Sequence, residues 1–176
     1  MTSSALSPSA ESFRRVMARW ATGVAVVTAH DGGTDGGLTV NAFLSVSLDP
    51  PTVLVSLMHD VDTLPILERS GWFGASFLAA DQRDLSSRFA RADPPATKFR
   101  DLPVHRGPHG SALLDHTLGA IECRVVSQSL AYDHVLVLGE VVYEEVGRDA
   151  LPLVFYRSAY GDAEPPERLR LPPGHP

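Results

Sequence analysis

The sequence predicts a mostly β fold, an antiparallel barrel with small helices attached. Three observations carry that expectation. Segments rich in β-branched residues, or strictly alternating between apolar and polar, recur along most of the chain. The helical stretches between them are short. Strands and helices do not follow the regular βαβ order that a doubly wound parallel sheet requires.

The chain has 176 residues, 44% hydrophobic and 20% charged, which fits one globular domain with a full core. Its organisation reads as a flexible N-terminus over residues 1–10, a domain over 11–161 and a proline-rich tail over 162–176. No apolar run approaches the roughly 20 residues that cross a bilayer. The start, "MTSSALSPSAESF", lacks the basic and apolar regions of a secretory leader. A cytoplasmic protein without membrane contact is expected. The net charge of −6, from 15 basic and 21 acidic residues with the arginines scattered, argues against a nucleic-acid surface. The single cysteine, Cys123, excludes an internal disulfide framework and a multi-cysteine zinc site, and no metal is expected.

In chain order, Ser7 and Pro8 suit a helix start. Phe13, Val16, Met17 and Trp20 then make an apolar stripe, expected to pack on its own domain. "VAVVTA" (24–29) is a β-branched strand. "HDGGTDGG" is a turn, and "GLTVNAFLSVSLDPP" (37–51) continues as an extended chain, completing a hairpin. In that stretch Leu38, Val40, Ala42, Leu44, Val46 and Leu48 alternate with Thr39, Asn41, Phe43, Ser45, Ser47 and Asp49. The first set is expected on a core. The second, small and hydrogen-bonding around one ring, is expected to meet water or to line a ligand cleft.

"TVLVSLM" (52–58) reads as a strand buried on both faces. "DTLPILERSG" is a short helix with Asp62 or Thr63 as its cap and Gly71 past its end. "WFGASFLA" is a strand, and "ADQRDLSSRFA" a second short helix with Leu85 and Phe89 one turn apart. Residues 91–114 read as an irregular excursion. "GAIECRVVSQSL" and "HVLVLGEVVYEEV" form a second long hairpin, and "LPLVFYRSAYG" a final extended segment.

Familiar catalytic patterns are missing. His105 and His109 are four apart, but Gly107 and Pro108 between them argue for a loop, not a helical metal site. No serine sits in a nucleophile elbow, and the glycines match no phosphate-binding or dinucleotide fingerprint. Cys123, within an apolar strand, reads as a core residue. What remains is a cleft surface made from "TVNAFLSVS", "VSLM", "SSRF" and "TKF". There Ser86, Ser87, Arg88 and Lys98 carry groups that can grip phosphate oxygens.

The succession "FRRVMARWATGVAVVTA", "GLTVNAFLSVSLDPPTVLVSL", "SSRFA", "KF", "GAIECRVV", "YDHVLVLGEV", "PLVFYRSAYG" resembles the short-chain flavin reductases. These are the NAD(P)H-dependent reductase components of two-component flavin monooxygenases. The resemblance runs from about Phe13 to Gly161. It implies an antiparallel split β-barrel of the FMN-binding type, a homodimer with flavin near the subunit interface, and a separate flavin-dependent oxygenase as partner. FAD or FMN and NADH or NADPH are the implied cofactors.

By that resemblance Thr39, Val40 and Asn41 flank the isoalloxazine ring, with Ser45, Val46, Ser56, Leu57, Met58 and Thr63 beside the cofactor. Ser87, Arg88, Phe89 and Lys98 lie toward its phosphate. His134, Phe155, Tyr156, Arg157 and Ser158 meet the nicotinamide nucleotide, and His134 is the implied catalytic residue. Tyr132 and Ser158 stand where the family commonly has glycine, and each is expected to add a side chain near the nicotinamide pocket. Hydride passes between the two cofactors, so the protein needs to align rings rather than supply acids and bases. The alternatives are a non-catalytic flavin- or haem-binding protein on the same barrel, and an assembly module whose strand face is merely solvated.

Overall fold

The structure, a computed structural model, describes residues 8–163. Residues 1–7 and the proline-rich tail from 164 onward lie outside the described residues. The first helix, α1 (Ala10–Met17), starts at Ser9, whose hydroxyl accepts the Ser12 N–H at 3.0 Å. The cap is therefore Ser9 and not Ser7, and residues 8–10, assigned to a flexible end, already belong to the helix and its lead-in. No residue of α1 is buried. Phe13, Val16 and Trp20 are 60, 66 and 69% exposed, because no described element crosses the stripe. The expectation that it packs on its own domain is overturned.

Seven strands form the main sheet: β2 (Ala25–Asp31), β3 (Thr34–Val40), β4 (Phe43–Leu48), β5 (Pro51–Met58), β6 (Trp72–Phe77), β9 (Gly119–Ala131) and β10 (His134–Val146). Their order is β3-β2-β6-β9-β10-β5-β4, with every neighbour antiparallel. Consecutive strands β3 and β4 thus occupy opposite edges although only Asn41 and Ala42 separate them. So short a link forces the sheet to curl until its edges meet, and the Ser56 N–H donates to the Ala42 carbonyl at 3.0 Å there. The barrel does not close with a full ladder between β3 and β4, and it splits beyond that point.

A ribbon, β7 (Val104–Arg106) with β8 (Ala112–Leu114), lies on the outside. A small sheet joins β1 (Thr22–Gly23), β11 (Leu153–Tyr156) and β12 (Ala159–Asp162). Helices α2 (Thr63–Ser70), α3 (Arg83–Ala90) and α4 (Pro95–Lys98) attach to it all. None of the described helices is long and apolar enough to span a membrane.

Several boundaries differ from the sequence reading. The stretch 37–51 is two strands, not one, because the chain must leave one edge and enter the other at Asn41. Only Gly32 and Gly33 make the tight turn, both with positive φ. Gly36 and Gly37 belong to β3, where a Cβ at Gly37 would lie 2.6 Å from the Phe89 ring. That glycine lets α3 settle onto the strand. Residues 91–114 are not irregular, since they hold α4 and the β7–β8 ribbon, and His105 sits on a strand. β5 is not buried on both faces: Val53, Val55 and Leu57 are buried, while Leu54 and Ser56 are half-buried. The long hairpin β9–β10 and the α2 boundaries follow the expectation.

β2 runs between two apolar clusters. Ala25, Val27 and Ala29 enter the barrel interior with Val55, Leu57, Leu67, Phe73, Cys123 and Val137. Val24 and Val26 face the other way, onto Leu78, Phe89, Leu114 and Leu153. Burial lifts the Cys123 thiol to about 12, so it is a filled core position and not a nucleophile.

Candidate functional site: two clefts that meet at Asn41

The split in the barrel holds a cleft of about 540 Å³. One wall is the end of β3, with Leu38, Thr39 and Val40 running into Asn41 and Ala42. The facing wall is the end of β5, with Ser56, Leu57 and Met58, and the start of β10, where His134 is paired with Met58. The start of α2 contributes Asp60, Val61, Asp62 and Thr63. The end of α3 and the chain after it add Phe89, Ala90, Arg91, Ala92 and Lys98. β3 is an edge strand, so alternate N–H and C=O groups on its outer side have no strand partner. Lys98 takes the Gly37 carbonyl, and the groups nearer Asn41 are open to something laid along the edge.

Lys98 is the chemical surprise of this cleft. It is only 9% exposed, and its ammonium donates to the Gly37 carbonyl at 3.1 Å and more weakly to that of Phe89 at 3.5 Å. Burial pulls its pKa down, while the charges of Asp62 and Asp93 partly restore it. An ammonium has three donors and these carbonyls occupy two, which leaves one for an anion in the cleft.

His134 lines the same cleft, half-exposed. Its Nδ1 lies 2.8 Å from Asp133 Oδ1, an arrangement that assigns the proton there and leaves Nε2 for another partner. The Asp133 carboxyl is held below the usual range, first by that hydrogen bond.

A second cleft, about 340 Å³, adjoins the first. It is lined by Trp20, Thr22, Gly23 and Val24, by Phe43 and Phe77 in edge-to-face contact at 5.5 Å, and by Leu118, Pro152 and Leu153. Asn41 lines both clefts. The Thr22 hydroxyl is buried there without a hydrogen-bond partner, which is costly unless a ligand supplies one.

The structure gathers Thr39, Val40, Asn41, Ser56, Leu57, Met58, Thr63, Phe89, Lys98 and His134 into the first cleft. It leaves out others. Ser45 and Val46 are exposed on β4 and line neither cleft. Ser87 does not line the cleft. Arg88 donates to the carbonyls of Thr97 and Arg100, tying α3 to α4 and to the chain just after it. Ser86 is fully buried and its hydroxyl donates to Tyr160.

Phe155, Tyr156, Arg157 and Ser158 are absent from the His134 cleft. They belong to the β11–β12 hairpin, which pairs with β1 and so stands beside the second cleft. Tyr132 and Ser158 both have positive φ, the backbone setting glycine adopts freely. The Tyr132 side chain is 98% exposed and crowds no pocket. Missing from the sequence reading were Thr22, Asp60, Asp62 and Arg91. Only their closeness in the chain to Gly23, Thr63 and Phe89 could have drawn attention to them.

Comparison with known proteins gives a consistent result. A family model described as a flavin reductase like domain matches residues 17–164. A protein of Streptomyces coelicolor named actinorhodin polyketide dimerase is 40% identical over 143 residues, 81% of this chain and 80% of its own. The Agrobacterium fabrum protein named FMN reductase (NADH) SmoA is 39% identical over 150 residues, 85% of this chain and 84% of its own. Among solved structures, the NADH:FAD oxidoreductase SgcE6 of Streptomyces globisporus, in complex with NAD and FAD fragments, superposes with a TM-score of 0.83. It is 28% identical, and the match covers 89% of this chain and 94% of that one.

Proposed function

The chain belongs to the flavin reductase-like domain family, and from that premise we propose that it is the reductase component of a two-component flavin monooxygenase. It oxidises NADH or NADPH and delivers reduced FMN or FAD to a separate oxygenase. The observation that carries this reading is the pair of adjoining clefts with Asn41 in both linings. A two-substrate redox reaction that needs face-to-face rings needs two such spaces in contact. The names of the relatives, an NADH-dependent FMN reductase among them, support it.

The residues present fit a flavin in the first cleft. The free edge of β3 offers backbone donors and acceptors along Thr39, Val40 and Asn41, and the ends of β5 and α2 supply the opposite flank. Lys98, with one donor unspent, is the cation for the flavin phosphate. A flavin held there would supply the redox chemistry, as the acceptor for hydride from reduced nicotinamide. The β1–β11–β12 sheet, carrying Phe155, walls the second cleft for the nicotinamide nucleotide, where the Thr22 hydroxyl gains the partner it lacks. Asn41 stands between the spaces and fixes how far apart they lie. His134, oriented by Asp133 through Nδ1, presents Nε2 to the flavin side as a group that accepts a hydrogen bond or a proton. The exposed apolar residues Leu44, Val46 and Leu48 on β4, and the α1 stripe, form the faces on which a second copy packs into a homodimer.

The test mixes purified protein with NADH or NADPH and excess FMN or FAD in air. Catalytic loss of nicotinamide absorbance supports the reading. Saturable flavin binding without turnover makes the protein a carrier, and no saturable binding makes the cleft a solvated groove. Within the reductase, His134→Ala lowers kcat/KM several-fold, and an unchanged pH–rate profile in that variant removes the proton role.

A further inference from the structure

Thr39, on the wall of the first cleft, does not offer its hydroxyl to that cleft. It donates it at 2.6 Å to the carbonyl of Ser86 in α3. Ser86 is fully buried, and its own hydroxyl donates at 2.9 Å to the phenol oxygen of Tyr160 on β12. The Tyr160 ring meets Phe155, its partner in the β11–β12 register, edge to face at 5.6 Å. Phe155 is in turn paired with Thr22, which lines the second cleft. Three elements distant in sequence are thus joined behind the site, on a route separate from Asn41.

We infer that Tyr160 is a positioning residue: through Ser86 it fixes Thr39 and so sets the shape of the flavin cleft. Thr39 is β-branched, and committing its hydroxyl selects one χ1 setting on an edge strand whose outer side has no strand partner. The hold depends on where the Ser86 carbonyl lies. Without the tyrosine oxygen, the buried Ser86 hydroxyl has a second option, the carbonyl one turn back at Gln82. Serine bonds of that kind bend helices. The bend carries the Ser86 carbonyl away from Thr39 and frees the cleft wall.

The inference rests on reading the cleft as a flavin site, and its test separates the two. Flavin dissociation constants are measured by fluorescence quenching for the wild type, Tyr160→Phe, Thr39→Val and the double variant, well below each melting temperature. The expected result is weakening by about fivefold in Tyr160→Phe, the size of one ordinary hydrogen bond. The double variant should then be no weaker than Thr39→Val alone, because both changes cut one connection. Wild-type protein with no saturable flavin binding overturns the functional reading itself. Wild-type binding with an unaltered constant in Tyr160→Phe overturns the inference only. So does multiplicative weakening in the double variant, which marks Tyr160 as a stabilising residue with no hold on Thr39. If Tyr160→Phe does not fold, Ser86→Ala removes the Ser86 anchor without the helix bend. Weakening smaller than in Thr39→Val and not multiplied in the double variant then supports the inference, and an unaltered constant or multiplicative weakening overturns it.

Discussion

β3 and β4 follow each other in the chain, share an apolar–polar alternation and form the two edges of one sheet. Over β3 the helices come down close: Phe89 and Phe99 lie against Gly37, and Ile66 and Thr63 against Gly36. On β4 only Phe43 is packed, edge to face on Phe77, and Leu44, Val46 and Leu48 are 50, 51 and 86% exposed. An unpaired edge is a hazard that proteins manage by covering it or by pairing it. Here the cover is also what makes the site, because the elements that shield β3 bring Phe89 and Lys98 to the cleft. The bare edge has no chemistry of its own, and its apolar residues make sense against another surface.

The comparison breaks most forcefully at Phe89. This ring is fully buried, packs edge to face on Phe99 at 5.1 Å and fills the space that Gly37 leaves open. Phe89→Ala should destabilise the fold by about 3–5 kcal/mol, the cost of an uncollapsed cavity. Flavin affinity should fall with it, since Phe89 also lines the cleft. Urea unfolding and flavin titration measure the two losses. Stability lost without affinity would mean that covering β3 and building the site are separate tasks.

Val46→Glu tests the bare edge from the other side. In a lone chain a charge at this exposed position changes stability by no more than about 0.5 kcal/mol. In a dimer packed on β4 the same charge is buried and unpaired, and the complex should separate. Light scattering after size exclusion reads the outcome as a halved mass with nearly unchanged unfolding of the monomer. A wild-type mass of one chain, or a variant that keeps the wild-type mass of two, takes β4 out of the interface.

The same pair of strands shows what was readable beforehand. Alternation over residues 38–48 announced extended chain and put Thr39 and Asn41 on a face meeting water or a ligand, the family resemblance added Val40, and all three line the cleft. The alternation could not announce that the chain changes edges at Asn41, because a two-residue kink leaves the period nearly intact. Ser45 and Val46, which the family resemblance carried to the cofactor, stand exposed on β4 and line neither cleft. Arg88 reads as a phosphate ligand by type, yet backbone carbonyls that no pattern reveals claim its guanidinium. Lys98 reads the same way and does reach the cleft, because the fold buries it there. Residue type proposes a role, and tertiary partners decide it.

The smallest expected effect sharpens the comparison by giving the cover of β3 a pH dependence that β4 lacks. The β7–β8 ribbon is held to the sheet by the Thr28 hydroxyl on the Ala112 carbonyl and the Leu114 N–H on Ser76, and by two charged fastenings. Arg106 pairs with Asp35 on β3, at 2.8 Å through its second nitrogen. His105 places Nδ1 2.7 Å from Asp115 and Nε2 3.1 Å from Glu145 on β10, which also accepts the Tyr143 hydroxyl. With both ring nitrogens facing carboxylates, the imidazolium is favoured. The Asp115 hydrogen bond raises the His105 pKa above its ordinary 6.5, against burial and with help from the Glu145 charge. Asp35 moves the other way: burial pushes its carboxyl up, but Arg106 and His30 outweigh that and hold it low. Stabilisation from His105 is thus fully present below 6.5 and disappears as pH rises through the raised folded value. The Arg106–Asp35 pair and the neutral bonds at Ala112 and Leu114 persist across that window, so the ribbon loosens at His105 and stays attached elsewhere. Hydrogen exchange from about pH 6 to about pH 9, corrected for intrinsic rates, should show modest loss of protection in β7, β8 and the outer end of β3, and none in β4. His105→Gln should flatten that dependence. A loss shared equally by β4 would mean that His105 acts on the whole sheet and not on the cover of one edge.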